Sequence, residues 1–241
     1  MAKVNYVFKR VEKKYLLTQK KYELLQKYIS PYMEQDSYGL HTICNVYYDT
    51  DNYDLIRESL EKPDYKEKLR LRSYGTVGRK DTVFVELKKK YKGVVYKRRI
   101  SLTLEEAECY LNNNIKPKKE SQISKEIDYF MKLYNPKTKA YIAYDRVAYF
   151  GKEDKDIRIT IDKNIRGREY DLSLEKGDYG DYLLGRLECL MEIKVSGAMP
   201  LWLSSILSEL KIYPVSFSKY GVMYKECILN KGSEELCLQA Y

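Results

Sequence analysis

Charged and aliphatic residues alternate along several stretches of the chain, and this period of two predicts β-strands. The longest such stretch, residues 66–101, contains three extended runs separated by turns at Gly75 to Gly78 and around Gly93. Successive side chains of a strand point to opposite faces of a sheet, so each run has one charged and one aliphatic face. The aliphatic positions are Leu69, Leu71, Val83 and Val85, and the charged pairs are Arg70 and Arg72, Glu86 and Lys88, and Lys97 and Arg99.

The same alternation recurs along the rest of the chain. Further strands are predicted over residues 4–17, 41–48, 139–150, 156–163, 166–174 and 185–195. Helical patterns cover residues 18–33, 53–61, 121–134, 200–210 and 218–229, and another helix begins at Thr103 with a capping box. About eight strands, mostly antiparallel, therefore form one domain over residues 1–241, with its core over about 4–229 and a weakly ordered tail over 230–241.

The charged strand faces can lie in two places. In a sandwich they face water, which is the ordinary environment of Lys and Arg. In a closed barrel with helices outside they line the interior. The predicted helices carry apolar stripes that need the aliphatic strand faces, and this favours the second arrangement. We therefore predict an α+β fold in which a closed antiparallel barrel of about eight strands forms a basic tunnel, with helices packed outside and a C-terminal helix.

Composition narrows the function classes. The chain has 44 Lys and Arg against 35 Asp and Glu, a net charge of +9, which favours an anionic partner. One His and five scattered Cys without a C-x-x-C pair argue against a multi-His metal site, a His-centred triad and a zinc knuckle. Reduced thiols and the lack of a long apolar segment predict a cytoplasmic protein that would reach a membrane only through a partner protein.

The residue types on the charged faces suit phosphate chemistry. Arg offers forked donors to phosphate oxygens, Lys adds point charges, and carboxylates together with phosphates bind Mg²⁺ or Mn²⁺. Phosphoryl transfer needs alignment and charge neutralisation more than a protein nucleophile. The candidates are Arg70, Arg72, Arg146 and Arg158, then Lys14, Lys88, Lys97 and Lys194, and, as metal ligands, Glu12, Glu86 and Glu192.

An ordered set of short motifs resembles the VTC domain, the catalytic domain of the vacuolar transporter chaperone complex and a member of the triphosphate tunnel metalloenzymes. The motifs are Arg10-x-Glu12-x-Lys14-Tyr15, Tyr47-Tyr48-Asp49, Leu69-Arg70-Leu71-Arg72-x-Tyr74-Gly75, Glu86-x-Lys88, Tyr144-Asp145-Arg146-x-Ala148, Arg158-x-Thr160-x-Asp162, Glu192-Ile193-Lys194 and Phe217-Ser218-Lys219-Tyr220. They span roughly residues 10–224 in order.

The resemblance implies an enzyme that makes polyphosphate from ATP with Mn²⁺ or Mg²⁺. It assigns phosphate binding to Lys14, Arg70, Arg72 and Lys88, further phosphate contacts to Lys97, Tyr144, Arg146, Arg158, Ser218 and Lys219, and metal binding to Glu192. The implied partners are ATP and polyphosphate, and a membrane protein for export is compatible with them.

Three other functions stay open at this point. The same fold would serve an inorganic triphosphatase, and it would serve a non-catalytic module that binds polyphosphate or nucleotide. The net charge permits nucleic acid as a ligand, but the strands carry no stacking-platform motif that would demand it.

Overall fold

The structure is a computed structural model that describes residues 11–229. The predicted start of the first strand, the motif residue Arg10 and the predicted weakly ordered tail lie outside the described residues. Within residues 11–229, no helix is long and apolar enough to cross a membrane.

Strands dominate the described part of the chain. They are β1 (Val11–Thr18), β2 (Met33–Gln35), β3 (His41–Asp49), β4 (Tyr65–Tyr74), β5 (Thr82–Tyr91), β6 (Val94–Thr103), β7 (Lys137–Gly151), β8 (Arg158–Arg168), β9 (Asp181–Tyr182), β10 (Glu188–Val195) and β11 (Pro214–Val215). The helices are α1 (Gln19–Ile29), α2 (Asp54–Leu60), α3 (Leu104–Asn113), α4 (Gln122–Tyr134), α5 (Leu201–Glu209) and α6 (Lys219–Met223), and a π-helix over Tyr224–Leu229 follows α6.

The predicted closed barrel is wrong, because the sheet is open. The hydrogen-bonded order is β11-β1-β10-β8-β7-β3-β4-β5-β6, with β2 beside β7 and β9 beside β8, so β11 and β6 stand at two separate ends of the described sheet. Alternation along a strand determines which face is charged. It does not determine whether the first and last strands pair, which is what closure requires.

The chain divides into two compact units. The first comprises the described residues up to His41 together with Tyr144–Ile165 and Leu184–Phe217, and the second comprises Thr42–Ala143, Arg166–Leu183 and the described residues from Ser218 onward. Strand β7 begins in the second unit and ends in the first. Each unit has a hydrophobic core of its own.

In the first unit, helices cover the aliphatic faces of β1, β8 and β10. Thr18 ends β1 and caps α1 by accepting a hydrogen bond from the backbone N–H of Lys21. The buried core joins Tyr15 and Leu17 of β1, Leu25 and Ile29 of α1, Ile159 and Ile161 of β8, Met191 and Ile193 of β10, and Leu203 and Leu207 of α5. The strand faces opposite this core carry the charged residues, as the alternation predicts.

In the second unit, α3 and α4 pack on the aliphatic face of the β4–β5–β6 meander. The predicted aliphatic positions Leu69, Leu71, Val83 and Val85 are all 2% exposed or less. The predicted capping box at Thr103 and Glu106 is present. The β5–β6 turn has positive φ at both Lys92 and Gly93, as a type I′ hairpin requires.

Three predicted elements end differently from the expectation. The helix predicted over residues 18–33 ends at Ile29, and Met33 begins strand β2. The strand predicted over residues 166–174 is the end of β8, which stops at Arg168. The guanidinium of Arg168 donates to the carbonyls of Asp171, Gly177 and Tyr179 and so holds the chain after β8 in a loop. The helix predicted over 218–229 consists of the short α6 and the π-helix.

Candidate functional site

Five side chains of the second unit converge on the charged face of its meander, and we name them the Glu86 cluster: Glu86, Arg70, Arg72, Lys97 and Arg99. Glu86 lies opposite Arg70 on one side and opposite Arg99 on the other in the strand register. Its carboxylate lies 2.8 Å from Arg70 Nη2 and 2.8 Å from Lys97 Nζ, and 3.6 and 3.7 Å from Nη1 of Arg72 and Arg99. One carboxylate that is 1% exposed therefore faces four cations.

The charges of this cluster change the pKa of both Glu86 and Lys97. Burial alone raises the pKa of Glu86, but Arg70, Arg72 and Lys97 lower it to about 2. Desolvation and the nearby charges of Arg72 and Arg70 lower the pKa of Lys97 to about 8, while Glu86 raises it. This happens even though 46% of the Lys97 side chain is exposed. The cluster thus holds an excess of positive charge that an added anion would neutralise.

Uncharged residues of β3 orient the two arginines. Arg70 Nε donates to Glu86 Oε2 at 2.9 Å, and Arg70 Nη1 donates to the Tyr47 hydroxyl at 3.2 Å. Arg72 Nε donates to Asn45 Oδ1 at 2.9 Å, and Asn45 in turn donates to the carbonyl of Ile142. Because these contacts fix both guanidinium planes, the arginines are preorganised for a ligand.

The ring of Tyr47 links this cluster to α6. It stacks on the ring of Tyr220 at a centroid distance of 4.9 Å, and the Tyr220 hydroxyl donates to Asp49 Oδ2 at 3.0 Å. Asp49 is fully buried and also accepts from the backbone N–H groups of Leu55 and Ile56 at the start of α2. Burial raises the pKa of Asp49 in spite of these bonds.

Further basic residues of the second unit share the same face. Lys88 lies opposite Lys68 in β4 and opposite Lys97 in β6. Lys68 Nζ donates to the hydroxyl of Ser218 at 3.4 Å, and that hydroxyl caps α6. Lys219 follows and is only 9% exposed. Like charges directly opposite one another on a sheet destabilise it, which makes this surface receptive to a polyanion.

In the first unit, four charged residues of β1 and β10 form a second group, the Glu192 cluster: Glu192, Lys194, Lys14 and Glu12. Lys14 lies opposite Glu192 and Glu12 opposite Lys194 in the register. Lys194 Nζ donates to Glu192 Oε2 at 3.0 Å, and Lys14 Nζ lies 3.6 Å from Glu192 Oε1 and 3.9 Å from Glu12 Oε1. Lys14 also donates to the carbonyl of Phe217 at 2.9 Å.

The remaining predicted residues of the first unit lie on β7 and β8. Arg146 forms a two-pronged ion pair with Asp162, at 2.6 and 2.8 Å, and its guanidinium carbon lies 5.1 Å from the ring centre of Tyr144. Burial lowers the pKa of Arg146, but Tyr144 and Asp162 together raise it well above its ordinary value. Arg158 lies over the ring of Phe150 at 5.0 Å.

The Glu192 cluster fits a divalent cation better than Glu86 does. Mg²⁺ is held in proteins through one or two carboxylates together with substrate phosphates, and Glu192 and Glu12 supply two carboxylates on one sheet face. Glu86 instead forms ion pairs with four cations. Within the described residues, no three side chains of His, Cys, Asp or Glu come together as a metal site.

The structure thus gathers the predicted residues into groups within each unit and adds members that the sequence did not single out as site residues. Lys68 and Arg99 share the strand period of the predicted residues, so the alternation could have identified them. Asn45 and Tyr47 could not be identified in this way, because β3 carries no charged alternation. Tyr47, Thr160 and Asp162 stand in motifs of the family resemblance that assign them no role.

Comparisons with known proteins agree with this architecture. No curated protein matches the chain. Among solved structures, a candidate adenylate cyclase from Bacillus halodurans is 16% identical, with a TM-score of 0.54, over 87% of this chain and 93% of that one. A Hippeastrum protein, described as a candidate adenylyl cyclase with a dominant triphosphatase activity, is 18% identical, with a TM-score of 0.55, over 90% of this chain and 95% of that one. Identities this low show a likeness of fold alone.

The sequence itself carries the family assignment. The family model of the VTC domain matches residues 9–227, which is most of the chain. This match confirms the resemblance that the ordered motifs indicate, and the chain therefore belongs to the VTC domain family.

Proposed function

We propose that this protein is an ATP-dependent polyphosphate polymerase. The observation that carries the proposal is the convergence of Arg70, Arg72, Lys97 and Arg99 on the single carboxylate of Glu86 in a chain of the VTC domain family. Such a cluster binds a phosphate chain by exchanging some of its contacts with one carboxylate for contacts with several phosphate oxygens.

The reaction needs no protein nucleophile. A terminal phosphate oxygen of the growing chain attacks the γ-phosphorus of ATP, and a new P–O–P bond forms. The bond between the γ-phosphorus and its bridging oxygen breaks, and ADP leaves with the electron pair. The protein contributes alignment and neutralisation of negative charge, which supply most of the catalysis in phosphoryl transfer.

The residue assignments of the proposal follow the two units. In the second unit, Arg70, Arg72 and Lys88 act on the reacting phosphates, and Lys97, Ser218 and Lys219 bind substrate. In the first unit, Lys14, Arg146 and Arg158 act on phosphates, and Tyr144 and Lys194 bind substrate. Glu192 and Glu12 would hold Mn²⁺ or Mg²⁺, which neutralises phosphate charge when bound. Glu86 positions the cations around it and takes no metal.

A polymer assay tests this function. Purified protein is incubated with ATP and Mn²⁺, with and without a short polyphosphate primer, and long chains are resolved on a gel. We expect polymer from the wild type and from R79A, whose exposed arginine pairs with Glu105, but none from the double variant R70A/R72A. Polymer from the double variant would contradict the role given to these arginines.

A triphosphatase is the second candidate, because the Hippeastrum protein of similar fold is described as having that activity. It predicts phosphate release from inorganic triphosphate without chain growth. A module that only binds polyphosphate predicts salt-sensitive binding of the primer and no turnover of either substrate.

A further inference from the structure

The hydroxyl of Thr160 has no hydrogen-bond partner in the described part of the protein. Thr160 is 1% exposed, and its Oγ1 is among the few buried side-chain oxygens of residues 11–229 that make no hydrogen bond. A buried hydroxyl without a hydrogen-bond partner destabilises a fold. Such a group in a native protein therefore indicates a functional role or a partner outside the protein.

Strand β8 directs Thr160 toward the charged side of the first unit. Its neighbours Ile159 and Ile161 both lie in the hydrophobic core with no exposed surface, so the side chain between them points to the opposite face. On that face Thr160 stands between Arg158 and Asp162, and the register places it directly opposite Glu192.

The carboxylates beside Thr160 make contacts with cations. Glu192 Oε2 accepts from Lys194, and Glu192 Oε1 faces Lys14. Both oxygens of Asp162 accept from Arg146. Directly opposed residues of an antiparallel pair bring their Cβ atoms within about 5.5 Å, yet the hydroxyl and the carboxylate of Glu192 do not hydrogen-bond.

We infer that the Thr160 hydroxyl binds an oxygen of a phosphate group held at the Glu192 cluster, which makes it a further substrate-binding group. The inference rests on the proposed function. A hydroxyl can donate to a phosphate oxygen, and Thr160 lies two residues along β8 from Arg158, which the register pairs with the cation Lys194. When phosphate binds, Lys14 and Lys194 turn from Glu192 to the phosphate, and the hydroxyl gains the partner that the protein does not supply.

The variant T160V tests this inference, because it removes the hydroxyl and keeps the branched shape. Two quantities are measured: the thermal midpoint without ligand, and the Kd for inorganic tripolyphosphate by calorimetry, in Mg²⁺ and in EDTA. We expect the midpoint to be equal to or above that of the wild type, because no internal hydrogen bond is lost. We expect tripolyphosphate to bind about 10- to 100-fold more weakly in both buffers, since a hydrogen bond to a charged group is lost.

Two control variants separate binding from packing. T160S keeps the hydroxyl and should bind tripolyphosphate nearly as well as the wild type. I159V changes the next residue on the core face; its thermal midpoint should fall while its Kd stays the same.

Several results would overturn the inference. Wild-type affinity in T160V overturns it and leaves the proposed function intact, whereas a wild type that does not bind tripolyphosphate overturns both. A loss confined to the Mg²⁺ buffer would assign the hydroxyl to a metal-bound water instead of a phosphate oxygen. A midpoint of T160V well below that of the wild type would show that the hydroxyl has a partner within the protein.

Discussion

Replacing Glu86 by Gln removes the only carboxylate of the Glu86 cluster and leaves its shape nearly unchanged. Glu86 is 1% exposed, and its carboxylate lies 2.8 Å from both Arg70 and Lys97. Removing one partner of a buried ion pair costs about 3–5 kcal/mol, because the other partner stays buried without compensation. We therefore expect the free energy of unfolding of E86Q to lie about 3 kcal/mol below that of the wild type at neutral pH.

The pKa of Glu86 gives an independent magnitude. Burial raises this pKa, but Arg70, Arg72 and Lys97 lower it from 4.5 to about 2. A tenfold change in proton affinity is worth about 1.4 kcal/mol, so this lowering corresponds to about 3 kcal/mol. Because the pKa in the folded state is lower than in the unfolded state, this stability is present above pH 4.5 and is lost as the pH falls through about 2.

Urea unfolding of both proteins at neutral pH and at about pH 3.5 measures this effect. The difference in free energy of unfolding should shrink from about 3 kcal/mol at neutral pH to about 2 kcal/mol at pH 3.5, since Glu86 takes up a proton in the unfolded chain, where its pKa is 4.5, while it stays ionised in the folded wild type. The matched control is E120Q, whose mostly exposed ion pair with Lys116 spans 3.8 Å; it should cost less than about 1 kcal/mol. A difference that is absent at neutral pH, or that does not change with pH, would refute this reasoning.

Three further predictions address single contacts. Asp162→Asn should lower the free energy of unfolding by about 3–5 kcal/mol, because it leaves the two-pronged Arg146 without its buried carboxylate; a loss below about 1 kcal/mol in urea unfolding would speak against it. Tyr47→Phe removes the hydroxyl that Arg70 contacts and should raise the Kd for tripolyphosphate about fivefold with little change in stability; calorimetry that gives the wild-type Kd would contradict this. EDTA should suppress polymer formation by the wild type, and Glu192→Gln should no longer respond to added Mn²⁺; a variant that keeps the full response would exclude Glu192 as a metal ligand.

The sequence predicts the local organisation of this fold well, because the period of two reports which side of each strand meets the core. Leu69 and Val85 are buried under helices, and Arg70 and Glu86 lie together on the other face, as the alternation indicates. The hairpin at Gly93 is also where the turn residues predict it. These features depend on side-chain direction and backbone preference, which neighbouring residues determine.

Closure of the sheet depends on pairing between strands that lie far apart in the sequence, and alternation carries no information about it. This is why the barrel prediction is wrong. Strands β2, β9 and β11 span only two or three residues, too few to show a period. The ion pair of Asp162 is hidden from the sequence for the same reason, because the motif names Asp162 but only the fold brings Arg146 within 2.6 Å of it.

Some contributors to the candidate site carry no charge and no period. Asn45 and Tyr47 orient the two arginines from β3, whose residues are almost entirely buried. The sequence of this strand therefore looks like that of an ordinary core strand. The Thr160 hydroxyl is significant only because nothing within the described residues pairs with it.

The most direct test of the proposed function is the ratio of ADP to inorganic phosphate released during turnover of ATP with Mn²⁺ and a short polyphosphate primer. A polymerase passes the γ-phosphate to the chain, so ADP should accumulate without an equal amount of free phosphate, and the difference should appear as acid-labile polymer. Equal amounts of ADP and phosphate would show that water accepts the γ-phosphate. In that case the protein would be a hydrolase, and the polymerase proposal would be wrong.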